Sequence, residues 1–285
     1  MVVAGTPLDF RLGYGVFGGD DDTNPARVVH VADSPGQVSQ HADLAGSVSG
    51  DLSSVLDGLL TALEQVVRRP DWADWVTDLQ ATVKAATEKD AALLGAEADP
   101  IHPARIYGEL VPRLADDSVV IGDGGDFVSF AGKFVEPKRP GGWLDPGPYG
   151  CLGTGLGYAI AARLARPSSQ VVLLLGDGAA GFSLMDVDTL VRHDLPVVMV
   201  VGNNGMWGLE KHPMRMIYGW DMACDLQPGL RYDAVVSALG GAGETVDDPA
   251  QIGPALDRGF ASGVPYLVNV VTDPADVYPR SSNLA

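Results

Sequence analysis

Gly176-Asp177-Gly178 is followed, after residues 179 to 202, by the pair Asn203-Asn204. Asp177 and Asn204 offer a carboxylate and a carboxamide oxygen, hard donors of the kind that hold Mg²⁺, whose octahedral shell diphosphate oxygens commonly complete. Each half of the pattern follows an unbroken apolar run, Val171-Val172-Leu173-Leu174-Leu175 and Val197-Val198-Met199-Val200-Val201. Two short, continuous apolar runs joined by a helix-length segment predict two buried parallel strands and their crossover. Asp177 and Asn204 then stand at the C-terminal ends of two strands, on the edge where open α/β sheets bind ligands. The chain carries an internal comparison. Gly122-Asp123-Gly124-Gly125 also follows an apolar run, Val119-Val120-Ile121, but no Asn pair comes at crossover distance. It reads as a turn and not as a metal site.

The elements that must position these residues can be placed from pattern alone. From Ile101 onward, strands and helices alternate at the rhythm of βαβ units. Strands are predicted at Val119–Ile121, Val171–Leu175, Val197–Val201 and Tyr266–Val271. Helices are predicted at Pro103–Leu114, Gly155–Arg166, Leu184–Asp194, Tyr232–Leu239 and Pro249–Ser262. Ser183, with Asp186 three residues on, reads as a capping-box start for the middle helix. Residues 1 to 67 read as a short α/β segment with strands Val2–Ala4 and Val28–Ala32. A helix follows from Asp51 to Val67, with Asp51 as its cap. Two strands are too few for a domain of this kind, so this segment is expected to be the C-terminal part of a Rossmann-like domain. Residues 68 to 100 form a predicted helical connector with Trp72, Trp75, Leu79 and Val83 on one side. Residues 101 to 285 form the main domain. The fold class is α/β, a parallel sheet flanked by helices.

Composition narrows the partners. The chain has 285 residues, with 19 Lys and Arg against 37 Asp and Glu, a net charge of −18. That surplus argues against nucleic acid and anionic membranes. It leaves phosphate ligands open, because metal ions and helix N-termini neutralise them locally. The two cysteines, Cys151 and Cys224, predict a reducing compartment, hence the cytoplasm, and no disulfide framework. No apolar run has the length to span a bilayer.

The Gly-Asp-Gly and Asn-Asn pattern, with a strand ahead of each half, resembles the signature of thiamine diphosphate (ThDP) enzymes. With its flanks it is similar to the acetolactate synthase-like family, whose branches include oxalyl-CoA decarboxylase and 2-hydroxyacyl-CoA lyase. The resemblance covers almost the whole chain and implies a central Rossmann-like domain, seen in part, and a complete ThDP diphosphate-binding domain. Gly5–Arg11 and His30–Asp33 fall where that central domain has comparable segments, and Tyr149–Gly157 falls at its glycine-rich entry to the diphosphate domain. The pyrimidine-binding domain is expected from a separate chain or a missing N-terminal half.

The resemblance also implies roles. Asp177, Asn204 and the backbone carbonyl of Met206 would be the protein ligands of Mg²⁺. Gly176, Gly178 and Ala179 would meet the diphosphate where the helix after the strand opens. Gly150 would be a close-approach glycine. Leu152 would be the apolar wedge that bends the cofactor, although by its residue type alone it reads as a core leucine. Gly124, Gly125 and Asp126 would meet the cofactor's other end, and Trp207 and Leu209 would border it. No catalytic side chain is assigned, because the family's activating glutamate lies in the pyrimidine domain. Glu109 reads as a surface helix position, and Glu210 stands on the wrong module.

The implied reaction decarboxylates a 2-keto acid and joins the two-carbon unit to a second one, a step of branched-chain amino acid biosynthesis. The alternatives are a CoA-thioester lyase or decarboxylase on the same scaffold, which Gly157 suits about as well, and an inactive truncated ThDP-binding partner subunit. Pro213 stands near the position of a tryptophan that shapes acceptor choice in acetolactate synthases, which weakens that exact substrate pair. FAD is disfavoured, since Ala32 falls where an acid is common, though Asp33 and Asp51 remain. The molecule is expected to be a homo-oligomer or to join a chain supplying the pyrimidine domain. Among the histidines, His30 reads as core, His41 and His102 as surface, and His193 as a helix C-terminal residue. His212 alone lies near the expected cofactor edge. Cys151 reads as small-residue packing for want of a nearby base.

Overall fold

Continuous apolar strands require cover on both faces, and the larger part of the chain supplies it. The computed structural model describes residues 1–17, 26–66 and 70–278; Val67, the last residue of the predicted first helix, lies outside them. The described residues form two compact units that divide after Gln80.

In the first unit, β1 (Val2–Ala4), β2 (Val28–Ala32) and β3 (Leu44–Ser49) form a parallel sheet in that order. The third strand, Leu-Ala-Gly-Ser-Val-Ser, is not foreseen, because its Gly and Ser content hides the alternation. Helix α1 (Leu52–Glu64) starts where predicted, with the Asp51 carboxylate accepting the Ser54 N–H. His30 is buried as expected: its Nδ1 accepts from Ser39 N at 3.1 Å, leaving Nε2–H for the Thr6 carbonyl at 3.0 Å. Helix α2 (Ala73–Leu94) contains the division between the units.

The second unit begins within α2, continues with α3 (Pro103–Leu110) and is built on six parallel strands. They are β4 (Val119–Asp123), β5 (Trp143–Leu144), β6 (Val171–Gly176), β7 (Val198–Asn203), β8 (Ala242–Val246) and β9 (Tyr266–Val271), in the order β5-β4-β6-β7-β9-β8. The other helices are α4 (Gly125–Phe134), α5 (Gly155–Ala165), α6 (Asp177–Ser183), α7 (Val187–Arg192), α8 (Gly208–Tyr218), α9 (Tyr232–Ala238) and α10 (Pro249–Ala261). Alternate strand residues enter different cores. Val172, Leu174, Val198 and Val200 pack with Tyr107, Phe130 and Ile252, while Leu173, Leu175, Met199 and Val201 pack with Leu156, Leu190 and Val236. Each such side chain contributes about 1.5–3 kcal/mol by leaving water. Among the described residues no helix is long and apolar enough to cross a membrane.

The middle helix differs from expectation. The predicted Leu184–Asp194 helix is a 3-10 turn at Leu184–Asp186 followed by α7, and α6 precedes both. Ser183 Oγ is buried without a partner and caps nothing. The small residues Gly178-Ala179-Ala180-Gly181 let the chain turn helical at once after β6, so no free helix start remains at Ser183. The edge strands β5 and β8 also carry no clear sequence signal: one has two residues, and the other, Ala-Gly-Glu-Thr-Val, is half-exposed along most of its length.

Candidate cofactor site

Strands β6 and β7 are neighbours, with Gly176 opposite Gly202. Asp177 and Asn204 therefore emerge side by side from the same sheet edge. The Asp177 carboxylate joins the two halves of the motif. Its Oδ1 accepts the Gly178 N–H at 2.8 Å, and its Oδ2 accepts the Gly205 N–H at 2.7 Å. Asp177 is only 4% exposed. Burial pushes its carboxyl up to about 6, against the lowering effect of the N–H groups of Gly178, Gly205 and Met206. A carboxylate has about four lone-pair sites, so two remain for a cation after these two bonds.

The two asparagines have different surroundings. Asn203 is buried, and its Nδ2 donates to Leu230 O and to Asn269 Oδ1, both at 3.1 Å. Asn204 is half-buried, and its Oδ1 accepts from Met206 N at 3.2 Å. Residues 205–207 are held by a strap that follows α8: Trp207 N donates to Cys224 O and Leu226 N to Gly205 O, each at 2.8 Å, around an antiparallel Met206–Asp225 bridge. Gly205 O and Trp207 N face the strap. The alternation of an extended chain turns the Met206 N–H the opposite way, onto Asn204 Oδ1. Asp177 and Asn204 are thus joined to one loop, through Gly205 N and Met206 N.

The glycine-rich segments close around the same edge. Gly124, at φ +63°, leaves a notch that Leu152 fills: a Cβ there would lie 1.9 Å from Leu152 Cδ2 and 3.8 Å from Ala179. Leu152 is half-buried and belongs to none of the core clusters. The loop before α5 is pinned by Asp123, whose oxygens accept from Gly153 N at 2.9 Å and Gly155 N at 2.8 Å. The carboxylate of the second Gly-Asp-Gly is therefore bound to its own protein. Gly150 is left-handed at φ +61°, and its missing Cβ faces open space. Gly125 packs on Gly176. Asp126 is buried in the first turn of α4, and its Oδ2 accepts from Tyr278 N at 3.0 Å. Leu209 is half-buried in the first turn of α8. Among the histidines, His212 has a buried Nε2 with no partner.

Trp207 lies against Gly178: a Cβ there would come within 2.5 Å of the ring. A cavity of about 350 Å³ opens beside this contact. Asp177, Gly178 and Trp207 line it, with Gly181, Phe182, Leu226, Gln227, Leu230 and Tyr232. The last six are not among the residues that the sequence marks out. The Gln227-Pro228-Gly229 turn was a usable signal for part of this wall; nothing local marks Phe182 or Tyr232 as site residues. Burial, and then the Asp177 charge, push the Tyr232 phenol up to about 12. The wall is tied to the sheet, since Leu230 O also accepts from Asn269 Nδ2 at 3.3 Å. Asn269 Nδ2 further donates to Thr245 Oγ1 at 2.9 Å, and that hydroxyl donates to Asp233 Oδ1 at 2.8 Å.

No Lys, Arg or His lines the cavity among the described residues. Lys211 is paired with Asp221 and Asp225, and Arg215 with Asp221. A polyanion placed here would need a dication, and the donor set of Asp177, Asn204 and Met206 O is the kind that holds one. The residues present fit a magnesium diphosphate group.

A parallel α/β sheet with its donors and cavity at the C-terminal strand edge defines a nucleotide- or cofactor-binding class. Residues 123–270 match the family described as thiamine pyrophosphate enzyme, C-terminal TPP binding domain. The chain belongs to the thiamine pyrophosphate enzyme family. It is 49% identical over 286 residues to the probable acetolactate synthase of Mycobacterium bovis, covering 100% of this chain and 50% of that protein. It is 31% identical over 285 residues to human 2-hydroxyacyl-CoA lyase 2, covering 97% of this chain and 44% of the relative. A solved structure, the thiamine diphosphate-dependent 4-hydroxybenzoylformate decarboxylase of Rhodococcus jostii RHA1, superposes with a TM-score of 0.73 at 22% identity. That match covers 95% of this chain and 48% of the other. The chain spans about half the length of the curated relatives it matches.

Proposed function

We propose that this chain forms the diphosphate half of a ThDP- and Mg²⁺-dependent enzyme of the acetolactate synthase kind, which decarboxylates one 2-keto acid and joins the two-carbon unit to a second. The buried Asp177 carboxylate, bridging Gly178 and Gly205, carries this reading. Asp177, Asn204 and the Met206 carbonyl hold the metal, and the metal holds the diphosphate. The Gly178 N–H is taken by the Asp177 carboxylate, which leaves the Ala179 N–H at the helix start for the same anion. Leu152, standing in the notch left by Gly124, meets the cofactor's apolar middle. Gly150, Gly125, Asp126, Trp207 and Leu209 complete the borders of the cleft. ThDP, when bound, supplies the electron sink that decarboxylation of a 2-keto acid needs. No glutamate lines the cavity among the described residues, so the carboxylate that activates the aminopyrimidine comes from a pyrimidine-binding domain elsewhere in the assembled protein.

Cleavage of a 2-hydroxyacyl-CoA is the second reading, favoured by the 31% identity to the human lyase across 97% of the chain. Assaying the assembled protein for acetolactate formation and for 2-hydroxyacyl-CoA cleavage separates the two. Asp177→Ala tests the site itself. Calorimetric titration of ThDP in the presence of Mg²⁺ should show binding to the natural chain and none to the variant. Unchanged affinity in the variant removes the metal assignment.

A further inference from the structure

Tyr232 opens α9 and is 6% exposed. Its ring packs in the core cluster that contains Val236 and Leu267. The same side chain lines the cavity beside Asp177, Gly178 and Trp207. Among the described residues no protein group hydrogen-bonds the Tyr232 hydroxyl, and it is not among the side-chain atoms buried without a partner, so solvent reaches it and the donor is available. The backbone ahead of it is fixed: the Leu230 carbonyl takes two amide N–H groups, and Arg231 pairs with Asp233. A free donor on a rigid mount, in a cavity without a cationic side chain, suits an anion whose charge a metal offsets only in part. An ordinary phenol stays protonated through the neutral range, so it donates.

We propose that Tyr232 is a phosphate-binding residue whose hydroxyl donates to an oxygen of a magnesium-bound diphosphate held beside Asp177. The proposal rests on the ThDP reading above and adds a side-chain contact to it. The same chemistry admits inorganic pyrophosphate, which makes the diphosphate testable apart from the rest of the cofactor.

The experiment compares the 285-residue chain with Tyr232→Phe, which keeps the ring and removes only the hydroxyl. Calorimetry with magnesium pyrophosphate and with ThDP plus Mg²⁺ gives two affinities for each protein, and a thermal melt reports the fold. A hydrogen bond to a charged group predicts a loss of roughly 10–100-fold with both ligands, with the melt unmoved. Equal affinities in the two proteins overturn the proposal. So does a loss with ThDP that is missing with pyrophosphate, since the contact would then not be to the diphosphate. If the natural chain binds neither ligand, the ThDP reading falls and the proposal falls with it.

Discussion

Asp177 does two things with one side chain. It ties the ends of β6 and β7 together, and under the proposed function it is the desolvated carboxylate that holds the cation. Its carboxyl is pushed up to about 6 in the folded, metal-free protein, while in the unfolded chain it titrates near about 3.9. The folded state therefore holds the proton more tightly. Metal-free stability is highest below pH ~4 and falls as pH rises to ~6, by up to about 3 kcal/mol. Bound metal reverses the sense, because a cation competes with the proton: Mg²⁺-dependent ThDP affinity should drop about tenfold per pH unit below pH ~6. Melts of the natural chain and of Asp177→Asn, with and without Mg²⁺ and ThDP, check both. A metal-free difference between them that does not change with pH refutes the assignment.

Leu152 belongs to the same scale. A fully buried leucine cut to alanine costs roughly 2–5 kcal/mol. Leu152 is half-buried and outside the core clusters, so Leu152→Ala should cost less than that range. Its larger effect is expected on the bound cofactor, as slower exchange of the reactive carbon-bound hydrogen of ThDP in the assembled enzyme. Normal exchange with a large loss of stability returns Leu152 to the core.

At the scale of elements, the adjacent asparagines part company. Asn203 is the last residue of β7 and links the sheet to the Leu230 wall. Asn203→Ala leaves Asn269 Oδ1 without its buried donor and Leu230 O with only the longer Asn269 bond, a cost of about 1–3 kcal/mol. Asn204→Ala should change stability little and instead weaken Mg²⁺-dependent ThDP binding. A denaturant melt beside a titration reads both, and the reverse pattern would exchange their roles. The strap pairs with Gly205–Trp207 through its backbone and with Lys211 and Arg215 through Asp221 and Asp225. Lys211→Met should loosen the 205–207 loop and, if that loop holds the metal as proposed, lower Mg²⁺ affinity, whereas Lys211→Arg keeps a charge there and should retain most of it.

At the scale of the molecule, the end of α8 and the turn after it leave Met216 81% exposed, together with Ile217, Tyr218, Trp220 and Met222. A patch of this kind favours association, which the net charge of −18 opposes at low salt. The chain should therefore self-associate more as salt rises, and light scattering across a salt series measures it. A monomer at every ionic strength would show that the patch is inert. Turnover by residues 1–285 alone should be negligible and should appear when a pyrimidine-binding domain is supplied.

The long strands and the motif at their ends are legible in the residues themselves, because an unbroken apolar run is a local property and the sheet edge follows from it. Asp51 as a cap, His30 in the core and the α/β class are readable for the same reason. Edge strands β3, β5 and β8 are not, since half-exposed strands need no alternation strong enough to see. Nor are the contacts that make the site. Sequence places Asp177 and Asn204 on one edge, but only packing puts the Asp177 oxygen on Gly205 N, Trp207 over Gly178, and Leu152 in the notch of Gly124. Tyr232 comes to Asp177 from far along the chain, because a buried network around Asn203 and Asn269 holds Leu230 at the strand ends. Residue types and local spacing determined which chemistry is possible. The tertiary structure decided which side chains surround it, because those distances are set by how helices cover the sheet and no local pattern records them.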